Sequence, residues 1–398
     1  MKISERARQL PYSPIRKLAS VADAAKARGV HVIHLNIGQP DIPTPATFYD
    51  AIRRYDNPVL AYGPSNGLPE YREALARYYA RYRIDVESRE IFVTTAGSEA
   101  LMFAMLAVSD PGDNMLVMEP FYTNYNGFGA MMGIEIIGVP TRAEDGFQIP
   151  AMEEFEKRMT ARTRAIMICN PNNPTGAVYS REALERLSAF AIQHGLFVIS
   201  DEVYREFTYD GTRQVSVMHL DGLEDRAILV DSVSKRYSAC GARIGCLVTK
   251  HAGVLDAVMR MGQARLCPPT LEQIGAMASI DMPDTSMKAI IDEYCDRRDR
   301  LLDGLNRIDG VFCEKPMGAF YLMVTLPVTD SDAFARFMLE DFQYKGNTVM
   351  VAPGAGFYAT PGLGLNQVRM AYVLKKEELE AAVDVMAAGL AAFRDRQS

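Results

Sequence analysis

The residues with the most chemical potential in this chain lie between Asp231 and Gly245, in the run DSVSKRYSACGARIG. Lys235 sits there among small and hydroxylated residues, and Arg243 follows eight positions later. RAILVD precedes the lysine and IGCLVT ends the stretch, both apolar and of strand length, so Lys235 is poorly placed for bulk solvent. Removing an ammonium from water favours its neutral form, and a neutral amine is a nucleophile toward carbonyl compounds. The nearby hydroxyls and guanidinium suit an anion, most simply a phosphate. An amine beside a phosphate pocket points to pyridoxal 5'-phosphate (PLP) held by Lys235 as a Schiff base. The competing reading is a surface lysine in a loop, and only company elsewhere in the chain separates the two.

The elements that must position this lysine follow a repeating pattern. IFVTTAGSEALMFAMLAV from residue 91 reads as strand, tight turn and helix. MLVMEP, IEIIGVP, RAIMIC, LFVISD and RAILVD are further apolar strands, with REALERLSAFAIQHG an amphipathic helix between two of them. Such alternation predicts an α/β fold with a mostly parallel sheet covered by helices on both faces. Ligands collect beyond the carboxyl ends of such strands, where Ser98, Asn173, Asp201 and Lys235 each follow an apolar run. Earlier in the chain, residues 14–29 have helical spacing and stop at Gly29, and Pro69 opens a second helix. After about residue 285 a charged helix over 288–308 precedes short strand-like runs, VFCEK, GAFYLMVTL, NTVMVAPG and QVRMAYV, and a final helix from Lys376. Three units are expected: 1–40, an N-terminal segment packing with the smaller domain; 41–285, a large PLP-binding domain; and 286–398, a small α+β domain.

Composition narrows the function classes. The chain has 398 residues, 48% hydrophobic and 23% charged, which suits a globular protein of two domains. A net charge of -7 without basic blocks argues against a nucleic-acid surface. There is no membrane-length apolar run, and MKISERARQLPYSP lacks the apolar core of a signal peptide. Six scattered cysteines without a CxxC pair read as reduced thiols, and five histidines without HExxH spacing argue against a metal site. A cytoplasmic enzyme is the expectation.

AGSEA, NPNNPTG, SDEVY, SVSK with Arg243, and QVRMAY occur in that order and resemble the class I/II aminotransferases of fold type I. The resemblance runs from LNIGQPD to VRMAYV. It implies a large domain with a seven-stranded type of sheet sandwiched by helices, a smaller α+β domain, and PLP as cofactor. By the same resemblance Asp201 holds the pyridine nitrogen, and Asn173 and Tyr204 face the phenolic oxygen. Gly97, Ser98, Ser232 and Arg243 take the phosphate, and Tyr122 stacks on the ring. Gly38, Asn173 and Arg369 receive the substrate, with Arg369 gripping the α-carboxylate through a fork that lysine lacks. Tyr62 reaches the cofactor of a neighbouring subunit, which implies a homodimer with shared active sites.

The activity implied is ping-pong transfer of an amino group from an L-amino acid, aspartate or aromatic favoured, to a 2-oxo acid such as 2-oxoglutarate. Lys235, Asp201 and Tyr204 are its catalytic candidates, and the helix over 14–29 is a candidate lid. The runner-up is a PLP-dependent C–S β-lyase, which shares every cofactor residue. A fold-related regulator has no DNA-binding module in this sequence, and a nicotinamide-binding protein has no GxGxxG after a strand. Arg265, Arg16 and Ser234 are left without assigned roles. Arg265 or Arg16 could supply a positive charge for a substrate side chain, and Tyr12, Tyr62 and Tyr122 could equally line an aromatic pocket.

Overall fold

Strands Asn114–Glu119, Thr163–Cys169, Phe197–Asp201 and Ala227–Ser232 are buried almost throughout, as apolar runs covered on both faces must be. A computed structural model describes residues 1–397, so Ser398, the last residue of the 286–398 unit, lies outside the described residues. The four strands form the middle of a seven-stranded sheet. Ile91–Thr94 and Gly245–Val248 flank them on one side, and Glu135–Pro140 closes the other. Pairing is parallel except at Gly245–Val248, which runs against both of its neighbours.

Side chains alternate across the sheet. Met115, Val117, Met167 and Ile199 enter one apolar layer under helices Ala96–Val108 and Ala252–Arg265. Leu116, Met118, Ile166 and Val198 enter the other, under Pro69–Arg81, Arg181–His194 and Thr270–Ile280. Local signals set several of these helices. Pro69 occupies the first turn of one; Ser180 caps another by accepting from Ala183 N, and Gly195 ends it in the left-handed conformation.

A second core gathers the N-terminal helix Ala19–Ala27 with Asp284–Leu305, Ser331–Glu340 and Lys376–Gln397. They pack around an antiparallel sheet of Ala352–Pro353, Gln367–Ala371 and Tyr321–Thr325, and a parallel pair of His31–His34 with Asn347–Met350. No described helix is long and apolar enough to cross a membrane.

Some elements differ from the sequence reading. The helix expected from residue 14 begins at Ala19; residues 14–18 form turns that bring Ile15 and Arg16 to the site described below. VFCEK supplies only an isolated bridge from Phe312 to Thr325. The charged helix expected over 288–308 is Asp284–Leu305. Helices Ala252–Arg265 and Thr270–Ile280 were not anticipated, because Gly262 and Gly275 weaken their local signal. Packing explains both glycines: a Cβ on Gly262 would lie 2.2 Å from the Phe92 ring, and one on Gly275 would lie 3.0 Å from Phe48.

Candidate active site

Asp201 and Ser232 are the last residues of adjacent strands, and Lys235 follows in the short helix Val233–Arg236. Asn173 lies four residues past Cys169, and Ser98 lies in the first turn of the helix after Ile91–Thr94. These strand ends open into a cavity of about 610 Å³. Gly38, Gly97, Ser98, Tyr122, Asn173, Asp201, Tyr204, Ser232, Lys235, Arg243 and Arg369 all line it, together with Arg16 and Ser234. Tyr62 does not; it is 80% exposed on this chain's surface. Arg265 does not line it either. Its guanidinium pairs with Glu99 at 3.3 Å and donates to the carbonyls of Val93 and Ser65 at 3.2 and 3.4 Å.

The large-sheet wall carries the amine and one carboxylate. Lys235 Nζ donates to Gly38 O at 2.9 Å, with the rings of Phe320 and Tyr204 5.7 and 6.0 Å away. Asp201 accepts from Tyr125 OH at 3.0 Å and from Val203 N at 3.4 Å. Burial without a directly paired cation pushes its carboxyl up to about 6, although Tyr125 and Val203 pull the other way. Asn173 Nδ2 donates to Tyr204 OH at 3.4 Å, and that hydroxyl also pairs with Tyr321 OH at 2.9 Å. Burial, reinforced by Tyr321, raises the Tyr204 phenol well above its ordinary value and keeps it protonated. Asn124 Nδ2 donates to Tyr122 OH at 2.8 Å, and burial pushes that phenol up to about 12.

Below this wall lies a buried charge network that fixes the Lys235 helix. Asp231 accepts from Arg236 at 2.5 Å, from Arg205 at 3.0 Å, from Tyr79 at 3.1 Å and from Ser232 N at 2.7 Å. Arg205 also binds Glu202 at 3.0 Å, and Arg236 binds Glu206 at 2.8 Å. Burial alone would raise the Asp231 carboxyl, but the two guanidiniums hold it below the usual range. Arg236 is the residue after Lys235, so this lattice sets the amine's approach to the cavity.

The opposite wall comes from the small sheet and the N-terminal segment. Arg369 donates to Asn173 Oδ1 at 3.0 Å and to Asn36 O at 2.5 Å, and its Nε is buried without a partner. Tyr321 and Phe357 stack on its guanidinium at 4.6 and 5.1 Å. It is a buried cation with no carboxylate partner among the described residues. Gly38 is sterically required here, since a Cβ would fall 2.0 Å from Tyr321 OH. Gly97 is not, because a Cβ there would make ordinary contacts at 3.6–3.7 Å. The close backbone approach comes instead at Gly245, where a Cβ would lie 2.7 Å from Gly97 N.

Tyr125, Tyr321 and Asn36 were missed in the sequence. Tyr125 lies three positions after Tyr122, a spacing that can place both on one side of a turn. Alternation would have found Tyr321: Ala371 pairs with it, so it shares a sheet face with Arg369. Asn36 acts through its backbone carbonyl and an amide, for which the sequence carries no signal.

The aminotransferase class I and II family matches residues 30–386. This chain belongs to the class I and II aminotransferases. A probable aspartate/prephenate aminotransferase of Aquifex aeolicus is 31% identical over 384 residues, covering 95% of each chain. Aromatic-amino-acid aminotransferase 2 of Thermococcus litoralis is 32% identical and covers 97% of each. The solved alanine aminotransferase of Pyrococcus furiosus is 32% identical with a TM-score of 0.90, covering 98% of this chain and 100% of that one. This aminotransferase therefore has fold type I and uses PLP to move an amino group from an amino acid to a 2-oxo acid; lyase chemistry is not favoured. The cavity fits PLP on its own features: at Asp201 a buried carboxylate with no directly paired cation among the described residues, an amine at Lys235, and a helix start at Gly97 and Ser98 in the cavity that Arg243 also lines.

Proposed function

We propose that Lys235 is the amine that holds PLP and moves the substrate α-proton, with Asp201 holding the ring N–H. Convergence of Lys235, Asp201 and Arg369 on one cavity carries this reading. Ser98, Ser232, Arg243 and the backbone at Gly97 would hold the phosphate, with Tyr122 against the ring and Asn173 and Tyr204 at the phenolic oxygen. Bound PLP supplies an electron sink beside the substrate α-carbon. Arg369 grips the substrate α-carboxylate, assisted by Asn173 and by the close backbone approach at Gly38. That grip orients the α-C–H toward Lys235, which takes the proton as a general base and returns it as a general acid. Tyr204, protonated by its burial, offers a neutral donor next to Asn173.

Aspartate and aromatic amino acids are the favoured donors, in line with the relatives' names. The enzyme acts as a cytoplasmic homodimer in which Tyr62 reaches the neighbouring subunit's site. Exposed Val59, Leu60 and Tyr62 support this, because such an apolar run is favourable only when covered. Two domains, 41–285 and 286–398 with residues 1–40 attached to the second, would close on substrate.

The test is a panel of L-amino acids against 2-oxoglutarate with PLP-loaded protein, alongside Lys235→Ala. Amino transfer and a visible cofactor band, both lost in the variant, are expected. Pyruvate release from cystathionine without added 2-oxo acid, or an unaltered band in the variant, would overturn the reading.

A further inference from the structure

We infer that Tyr321 is a positioning residue of this aminotransferase: its hydroxyl donates to Tyr204 and so turns the Tyr204 proton toward the phenolic oxygen of the cofactor. The inference rests on the functional reading above, which puts Tyr204 at that oxygen, and deepens it. A pair of hydroxyls on buried residues carries it. Tyr321 OH, from the small sheet, and Tyr204 OH, from the large-sheet wall, lie 2.9 Å apart, and both residues line the cavity.

Each phenol has one proton to give. Were Tyr204 to spend its proton on Tyr321, none would be left for the cofactor. When Tyr204 points its proton at the phenolic oxygen, the pair survives only with Tyr321 as the donor. Tyr204 OH already accepts from Asn173 Nδ2 at 3.4 Å, so both groups beside it then feed its oxygen and leave its proton free to face the cavity. Tyr321 OH has no other hydrogen-bond partner among the described residues, and a buried hydroxyl left unbonded is costly. A hydroxyl that accepts also becomes a better donor, so the bond from Tyr321 strengthens the one Tyr204 makes.

The surroundings hold the Tyr321 ring in place for this task. The Arg369 guanidinium stacks on it at 4.6 Å, Phe320 lies beside it at 5.1 Å, and the Tyr204 ring meets it edge-on at 5.6 Å. Its hydroxyl fills the space that a Cβ on Gly38 would need, so a glycine at 38 is what lets the hydroxyl stand there. Phenylalanine at 321 would keep the stack on Arg369 and remove only the donor.

The experiment is a pH titration of the visible cofactor band in the PLP-loaded enzyme, in Tyr321→Phe, in Tyr204→Phe and in the double variant. A bond from Tyr204 favours the deprotonated form of the lysine-bound cofactor, whose phenolic oxygen carries the charge, so weakening that bond raises the midpoint. Tyr321→Phe should raise it by about 0.4–1 pH unit, the worth of one neutral hydrogen bond. Tyr204→Phe should raise it further, and the double variant should match Tyr204→Phe to within about 0.3 unit. A residue that merely packs would not show this loss of additivity. An unmoved midpoint in Tyr321→Phe, or the same rise with and without the Tyr204 hydroxyl, would overturn the inference while leaving the functional reading intact. An unmoved midpoint in Tyr204→Phe would remove Tyr204 from the phenolic oxygen and overturn both.

Discussion

The two walls of the cavity are built on opposite plans. On the large-sheet wall, Lys235 and Asp201 sit at strand ends above a lattice in which Asp231, Arg205, Arg236, Glu202 and Glu206 partner one another. On the other wall, Arg369 and Arg16 are cations without carboxylate partners among the described residues, held by a turn, a short strand and one asparagine. The lattice under the first wall pairs its charges internally, and so can hold that wall rigid before anything binds. The second keeps its positive charge for whatever enters, as a wall that must receive successive substrates requires.

The strongest way to break the first wall is at the amine. Lys235→Ala should lower the single-turnover rate by at least about 10³-fold, in the range for losing a positioned acid–base group, read as the change in cofactor absorbance after adding donor. Next comes its foundation. Asp231→Asn leaves two buried guanidiniums short of their shared partner and should cost about 3–5 kcal/mol of stability, measured by urea unfolding of the apoprotein. A loss below about 1 kcal/mol would show that the lattice does not hold this wall.

The second wall should respond in affinity rather than fold. Arg369→Lys is expected to raise KM for every donor by about 10–100-fold, because an ammonium cannot reproduce the bidentate fork.

The smallest effect is a pH signature of Asp201. Its pKa in the fold, raised to about 6 by burial, means that the folded chain binds this proton more tightly than the unfolded chain. The resulting stability is present below about pH 4 and fades as pH rises through about 6. A protonated ring nitrogen pairs with the ionised carboxylate and offsets that loss. The melting-temperature gain on adding PLP to apoprotein should therefore grow by about 2–4 °C between pH 5 and pH 7, and stay flat in Asp201→Asn.

The first wall was largely legible in the sequence. Polar residues just past apolar strands mark Asp201 and Lys235 directly, and both line the cavity, whereas Ser232 follows only from the family resemblance. The sheet's lone antiparallel strand was not legible, since GCLV reads the same in either direction. Neither was the choice between Arg265 and Arg16: both stand in turn-rich surroundings, and only the fold puts Glu99 beside one of them. The lattice under Lys235 joins residues from 78 to 236, and a single sequence carries no local signal for such pairings.

That reversed strand has a mechanical outcome. Because Gly245–Val248 runs against Ala227–Ser232, the segment between them folds back as the loop of a hairpin, pinned where Ile244 O accepts from both Val233 N and Ser232 Oγ. Lys235 and Arg243 are the two tines of one fork, so any shift of the hairpin displaces both together and leaves the gap between them intact.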